Sequence, residues 1–384
     1  MSVMKFARRL SKIKISGIRK AFESAGKDFI NLGLGEPDFE TPAHILNAAE
    51  RALREGYTKY TYNKGLPELR EAISDKLKRE NGVEVPPECV IATAGASEAL
   101  HISLLALVER GSEVLIPDPG FVSFSALVRL AEAKPVGVKL REEDMTMSVE
   151  DVREKISART KAIIVNSPSN PTGAVQSEED MRALAEIAQD KNIFLISDEV
   201  YEHFIYEGKH VSPARFAENV VIVNSVSKTY AMTGFRLGFV AVRNEEYVEQ
   251  MLKIHQYIQA CAPAVSQIAA LAALKGPQDS VAKMREAFKR RRDFVVEALQ
   301  QLKEGSGKGK GEAGCGIVSF TVPRGAFYIF PKVQNEEKFV EHAFRRGVIL
   351  TPGSTFGEGG RNHVRISFAA SIEKLKDAFE RLKS

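Results

Sequence analysis

Short β-branched runs alternate with amphipathic stretches through the middle of this chain, and that alternation leaves few folds open. The runs Cys89–Ala94, Glu113–Pro117, Lys134–Leu140, Ala162–Asn166, Ile193–Ser197, Val220–Ser225 and Leu237–Val242 are mostly bounded by turn residues and too short for globular helices. Between several of them lie stretches with apolar residues at helical spacing: Ser97–Leu107, Phe121–Ala133 and Ser177–Asp190. Parallel strands need such crossovers, so the order predicts an α/β fold whose mostly parallel sheet is covered on both faces. A second, α+β unit is expected after it. It comprises a helix around Ser280–Lys303, a Gly- and Lys-rich break, and strands over Gly316–Val322, Ala326–Phe330 and Val364–Phe368. The segment before Thr41 has no sheet partner of its own and is expected to pack on that second unit.

A length of 384 residues suits two domains, and a formal charge of +4, with both signs interspersed, gives no footprint for nucleic acid. Cys89, Cys261 and Cys315 are odd in number and widely spaced, which suggests neither a disulfide framework nor a metal site. Met1–Leu10 is basic but has no apolar run behind it, and no stretch approaches the ~18 apolar residues of a membrane span. A cytoplasmic location is expected. Gly309, Gly311 and Gly314 match the spacing GxGxxG, but a dinucleotide loop needs a strand before it and a helix after. Here a helix tail precedes and Ile317–Val322 follows, so the segment reads as a connection. A nicotinamide dehydrogenase would rest on those glycines alone.

The chemistry gathers where strands end. Lys228, in Ser225-Val226-Ser227-Lys228, lies at the C-terminal end of a buried strand, where α/β folds place ligands. An amine shielded there loses part of its preference for charge and can attack a carbonyl. Ser225 and Arg236 flank it with a hydroxyl and a guanidinium suited to phosphate. Asp198, in Ser197-Asp198-Glu199-Val200-Tyr201, is either a helix N-cap or a carboxylate able to hold a pyridine nitrogen protonated. Tyr201 is either a core aromatic or a donor to that ring's phenolate oxygen. Asn170 lies in Ser167-Pro168-Ser169-Asn170-Pro171-Thr172-Gly173, a rigid turn or a simple loop. Gly95 and Ala96 let backbone amides approach an anion at a helix start, with Ser97 beside them as ligand or cap. An anion nest, an amide, a carboxylate and a lysine together meet the needs of one phosphorylated pyridine aldehyde.

In this order the motifs resemble the class I and II aminotransferases, the fold-type-I pyridoxal-phosphate enzymes, and most of all the prokaryotic aspartate and aromatic ones. Lys228 before Gly234-Phe235-Arg236-Leu237-Gly238 is similar to the family's cofactor-lysine signature, and Asn170, Asp198 and Tyr201 match its cofactor ligands. Leu34-Gly35-Glu36-Pro37-Asp38-Phe39 resembles its substrate-closing loop, with Gly35 near the substrate carboxylate. Tyr60 resembles the tyrosine lent to the partner subunit's phosphate, and Arg365 the arginine that grips the substrate α-carboxylate. Phe121 stands where the ring-stacking residue is often Trp or Tyr. The resemblance implies a large domain with a seven-stranded, mostly parallel sheet over 46–284, a small α+β domain over 285–384, and an arm over 1–45. It further implies a homodimer with shared active sites.

The resemblance implies pyridoxal phosphate on Lys228 and an amino group moved from an L-amino acid, aspartate or aromatic, to 2-oxoglutarate. The cycle would be ping-pong, between pyridoxal and pyridoxamine forms. A carbon–sulfur lyase or related elimination enzyme on the same fold is the alternative, since fold alone does not select the reaction. A regulator's sensor domain would need more than the forty or so residues that precede Thr41. Phe124, Tyr62 and Tyr257 are candidate pocket aromatics that also read as core or interface.

Overall fold

The computed structural model describes residues 6–11, 13, 28–306 and 316–383. Cys315 and the glycines of the GxGxxG spacing lie outside the described residues. The first strand, β1 (Ile30–Asn31), is followed by helices α1 (Ala43–Arg54) and α2 (Pro67–Lys76), and a π-helical turn over Leu77–Asn81 extends α2. The main sheet then takes β2 (Val90–Thr93), β3 (Glu113–Asp118), β4 (Lys134–Lys139), β5 (Thr160–Asn166), β6 (Phe194–Asp198), β7 (Val220–Ser225) and β8 (Gly238–Ala241). Their order is β2-β8-β7-β6-β5-β3-β4, and β8 runs opposite to the other six. These are the seven runs read from the sequence, with ends moved by a residue or two.

The strands form where they do because both faces are covered. Every residue of β2, β7 and β8 is buried, so the β-branched run is continuous rather than alternating. The covering helices include α3 (Ala96–Leu107), α4 (Val122–Leu130), α5 (Val149–Lys155) and α6 (Glu178–Asp190). Ser148 and Ser177 cap the last two by accepting from Asp151 and Asp180 N–H. A single-turn helix, α7 (Val226–Thr229), follows β7, and α8 (Glu245–Ile258) and α9 (Ala264–Lys275) follow β8.

The long α10 (Asp279–Ser306) leads into the second unit. Its strands are β9 (Ile317–Ser319), β10 (Tyr328–Ile329), β11 (Lys332–Val333), β12 (Val348–Ile349), β13 (Thr351–Pro352) and β14 (Val364–Ser367). Helices α11 (Glu336–Arg345) and α12 (Ile372–Lys383) complete it. β9 and β10 are shorter than expected: β9 pairs with β11, through an irregular register, and β10 with β14. β1 pairs in parallel with β12, and Ile30 and Leu32 join this unit's apolar cluster. Val281 of α10 belongs to the core under the large sheet, whereas Met284 and Phe288 belong to the second core.

Candidate active site

β2, β5, β6 and β7 are mutually parallel in direction, so their C-terminal ends open on one side of the sheet. There, a cleft of about 270 Å³ is lined by Gly35, Ala96, Ser97, Phe121, Asn170, Asp198, Tyr201, Ser225, Lys228, Arg236 and Arg365. Gly95 borders it as the N-cap of α3, with φ 87°. Ser97 is not the cap; it lies in the helix's first turn, where helix-start amides lack an intrahelical acceptor, and with Ala96 it lines the cleft. Arg236 folds back over Gly95, its Nη2 2.6 Å from where a Cβ on Gly95 would stand, and the φ of 87° is what favours glycine there. Ser225 caps α7, its Oγ accepting from Ser227 N–H at 3.2 Å.

At the other end of the cleft, Asn166 ties two loops together. Its Oδ1 accepts from Asn170 N–H at 2.8 Å, and its Nδ2 donates to Asp198 O at 3.1 Å. The Ser167–Pro168 and Asn170–Pro171 bonds are both cis. Asp198 ends β6 as a buried carboxylate rather than a helix cap, with Val200 N–H 3.4 Å from its Oδ1. Tyr201 Oη lies 2.8 Å from Tyr328 Oη. Phe121 stands edge-on to Phe124, their centroids 5.6 Å apart; Phe124 itself is wholly buried and belongs to the core.

Arg365 enters from the second unit on β14 and is only 3% exposed. Its Nη1 donates to Asn170 Oδ1 at 2.9 Å and its Nη2 to Gly33 O at 2.5 Å, while its buried Nε has no partner among the described residues. The rings of Tyr328 and Phe356 lie 4.6 and 4.8 Å from the guanidinium carbon. The loop carrying Gly35 crosses the cleft as a strap: Gly35 O accepts from Lys228 Nζ at 2.7 Å, and Glu36 accepts from Thr233.

Burial shifts the charges of this site strongly. Desolvation, helped by the positive fields of Arg236 and Arg365, pulls Lys228 down to about 8, against Glu36 and Asp198, which raise it. Desolvation pushes Asp198 up to about 7, opposed by the Val200 N–H and by Lys228. Tyr201 is raised well above its ordinary range by burial and by Tyr328. The cleft therefore pairs an amine that is mostly charged but carries a neutral fraction near physiological pH, unlike an ordinary lysine, with a buried carboxylate that gains from an opposite charge beside it.

Tyr60 is not part of the cleft. It is 88% exposed and lines a separate shallow depression with Tyr57 and Tyr62, and Tyr257 is likewise exposed. Tyr328, Leu100, Val200 and Thr233 line the cleft but were not singled out in the sequence. Tyr328 carried the one available signal, a polar-tipped ring in an otherwise apolar run.

A family model described as aminotransferase class I and II matches residues 27–382. A probable aspartate aminotransferase of Methanocaldococcus jannaschii is 45% identical over 383 residues, covering 98% of each chain. Among solved structures, an aspartate aminotransferase from Thermus thermophilus with maleate superposes with a TM-score of 0.92 at 38% identity, covering 99% of both chains. An aromatic aminotransferase from Pyrococcus horikoshii does so with a TM-score of 0.87 at 40% identity, covering 96% of this chain and 98% of that one.

Proposed function

This chain belongs to the class I and II aminotransferases, and from that premise we propose that it moves an amino group from an L-amino acid, aspartate or aromatic, to 2-oxoglutarate in a ping-pong cycle. It is a pyridoxal-phosphate-dependent aminotransferase of fold type I, alike over its whole length to aspartate and aromatic aminotransferases. The observation that carries the finer reading is the likeness over nearly the whole chain to proteins named aspartate and aromatic aminotransferases, with Lys228, in α7 just after β7, and Asp198 lining one cleft.

The residues present fit pyridoxal phosphate. The first-turn amides at Ala96 and Ser97, the Ser225 hydroxyl and the Arg236 guanidinium make an anion site for its phosphate. Phe121 offers an aromatic face for its ring. Asp198 takes the ring nitrogen, and a proton held there meets the carboxylate that burial leaves in want of a cation. Asn170 and Tyr201 donate to the ring's phenolate oxygen. When bound, the cofactor supplies a carbonyl carbon for the amine and an aromatic sink for the electron pair left by the α-proton. Lys228 would hold the cofactor, and its Nζ would serve as the base that takes the substrate α-proton and gives it back. Arg365 grips the substrate α-carboxylate with a planar fork, and the Gly35 strap closes over it and excludes water.

The remaining parts of the proposal concern assembly. The chain is read as a homodimer in which Tyr60, outside the cleft of its own chain, serves a second copy's phosphate site. The division into an arm over 1–45 and domains over 46–284 and 285–384 is supported by two apolar cores that meet within α10 between Val281 and Met284. A cytoplasmic location belongs to the same reading; among the described residues no helix is long and apolar enough to cross a membrane.

The test is the absorbance of the holoenzyme while single L-amino acids are added without acceptor. The cofactor band should shift with aspartate or an aromatic donor and return on adding 2-oxoglutarate. Lys228→Ala should bind cofactor yet show no multiple turnover. Release of ammonia and an oxo acid with no acceptor present would replace transamination by elimination.

A further inference from the structure

Behind the cleft, on the side of the sheet end away from the cofactor site, lies a buried polar network that none of the cleft chemistry uses. Along the turn after β6, Asp198 and Tyr201 face the cleft, while Glu199, Glu202 and His203 face the other way. Along the β7–α7 turn, Ser225 and Lys228 face the cleft, while Asn224 and Thr229 face the network. The two turns are joined there. Asn224 Nδ2 donates to Glu202 Oε1 at 2.6 Å, and Asn224 Oδ1 accepts from Ser225 N–H at 2.7 Å. His203 Nδ1 is hydrogen-bonded to Thr229 Oγ1 at 3.1 Å.

Glu202 is held in turn by α2. Its Oε1 pairs with Lys76 Nζ, and its Oε2 accepts from Asn81 Nδ2 at 2.7 Å; Asn81 Oδ1 accepts from Lys76 Nζ at 2.7 Å. Lys76 and Asn81 are five residues apart, and the π-helical turn between them sets both side chains toward the same carboxylate. Glu199, Glu202 and His210 also bring ligand atoms within 4.8 Å of one another, but Lys76 is already the cation there. The side chains of Lys76 and Glu202 are 3% and 6% exposed. A buried ion pair is a poor source of net stability, since apolar residues of like volume commonly serve as well. What apolar residues cannot do is accept the Asn224 amide and so hold one turn at a set distance from the other.

We propose that Glu202, held by Lys76 and Asn81, is a positioning residue that fixes the turn bearing Asp198 and Tyr201 against the turn bearing Ser225 and Lys228. The His203–Thr229 bond is the second tie in the same arrangement. The inference rests on the cofactor site proposed above. Its readout is cofactor binding itself, which a network serving only the fold would leave unchanged in a folded variant.

The experiment compares two double variants of the full-length protein, Lys76→Met with Glu202→Gln and Lys76→Met with Glu202→Met. Both remove the buried charges at similar volume; only the glutamine keeps an acceptor for Asn224. Apoenzyme melting, the pyridoxal phosphate dissociation constant and the pH midpoint of the cofactor band are measured for each. The methionine variant should weaken cofactor binding about tenfold, the loss of roughly one buried hydrogen bond, and move the midpoint. The glutamine variant should stay within about threefold of the parent. Equal binding and equal midpoints in the two folded variants overturn the inference. If the methionine variant does not fold, Thr229→Val decides: weaker cofactor binding supports the second tie, and parental binding overturns the proposal. A parent enzyme whose cofactor band does not depend on Lys228 would instead sink the site reading beneath it.

Discussion

Arg365 donates from Nη1 to Asn170 Oδ1 at 2.9 Å, so the residue assigned to the substrate carboxylate is bonded to one assigned to the cofactor. With Nη2 also committed to Gly33 O, the guanidinium is oriented before substrate arrives. Arg365→Lys keeps the charge and loses the fork. Forfeiting one or two charge-assisted bonds, each ~1.5–3 kcal/mol, should lower kcat/KM by roughly 10²-fold. Cofactor affinity should stay near that of the parent. Steady-state kinetics beside a pyridoxal phosphate titration separates the two, and a variant that loses cofactor but not kcat/KM would reverse the assignment.

Lys228 should react as an unusual lysine in the cofactor-free enzyme. Desolvation and the two nearby arginines bring it to about 8, whereas an ordinary lysine titrates near ~10.4. Competitive labelling of amines, read by mass spectrometry across pH, should give Lys228 a midpoint near pH 8. Arg236→Leu removes one positive field and should raise that midpoint. A Lys228 profile indistinguishable from surface lysines would show that the strap and cleft do not desolvate it.

Asp198 gives a stability effect whose sign depends on pH. Its folded pKa of about 7 lies above the unfolded value, 3.8, so between those limits the native state binds more protons and stability falls as pH rises. The ionised, buried carboxylate is therefore a cost above pH 7 and none below about pH 4. Asp198→Asn should stabilise the apoenzyme by roughly 1–4 kcal/mol at pH 8 and hardly at all at pH 4. The same change should cripple turnover, because the amide cannot keep a ring nitrogen protonated. Apoenzyme melting at the two pH values checks the first half; equal shifts at both would mean that Asp198 is solvated.

The large sheet was legible in the sequence because most of its strands, all but the edge strand β4, are largely buried, and their β-branched runs need no partner to be recognised. β1, β11, β12 and β13 were not, for the opposite reason: each is two residues long and is defined by its pairing, β1 and β12 with each other from opposite ends of the chain. The same division holds in the cleft. Asn170, Asp198 and Lys228 sit at strand ends with local Pro, Gly and Ser chemistry, so their convergence could be read from order alone. Tyr328 could not, since an aromatic in an apolar strand reads as core until Gly35, whose missing side chain makes room for its hydroxyl, is brought beside it. The Lys76–Glu202 pair spans 126 positions and depends on a π-helical turn that no apolar periodicity marks.

Two glycines of one motif, Gly234 and Gly238, should differ sharply on substitution. A Cβ at Gly238 would stand 2.6 Å from Ala96 N, 2.7 Å from Asn224 O and 2.7 Å from Gly95 C, all backbone atoms that have no rotamer to adopt. Relief requires β8 to move off β7 or α3 to move off the sheet, and the first-turn amides of α3 are the proposed phosphate site. Gly238→Ala should therefore cost about 1–3 kcal/mol, the usual range for overpacking, and weaken pyridoxal phosphate binding by at least ~10-fold, equivalent to 1.4 kcal/mol. A Cβ at Gly234 meets nothing within 4 Å. Gly234→Ala should stay within about 0.5 kcal/mol of the parent and bind cofactor equally well. Denaturant unfolding of the apoenzymes and cofactor titration of each variant give both quantities. A Gly238→Ala protein with unchanged cofactor affinity would show that the phosphate does not sit on the α3 amides.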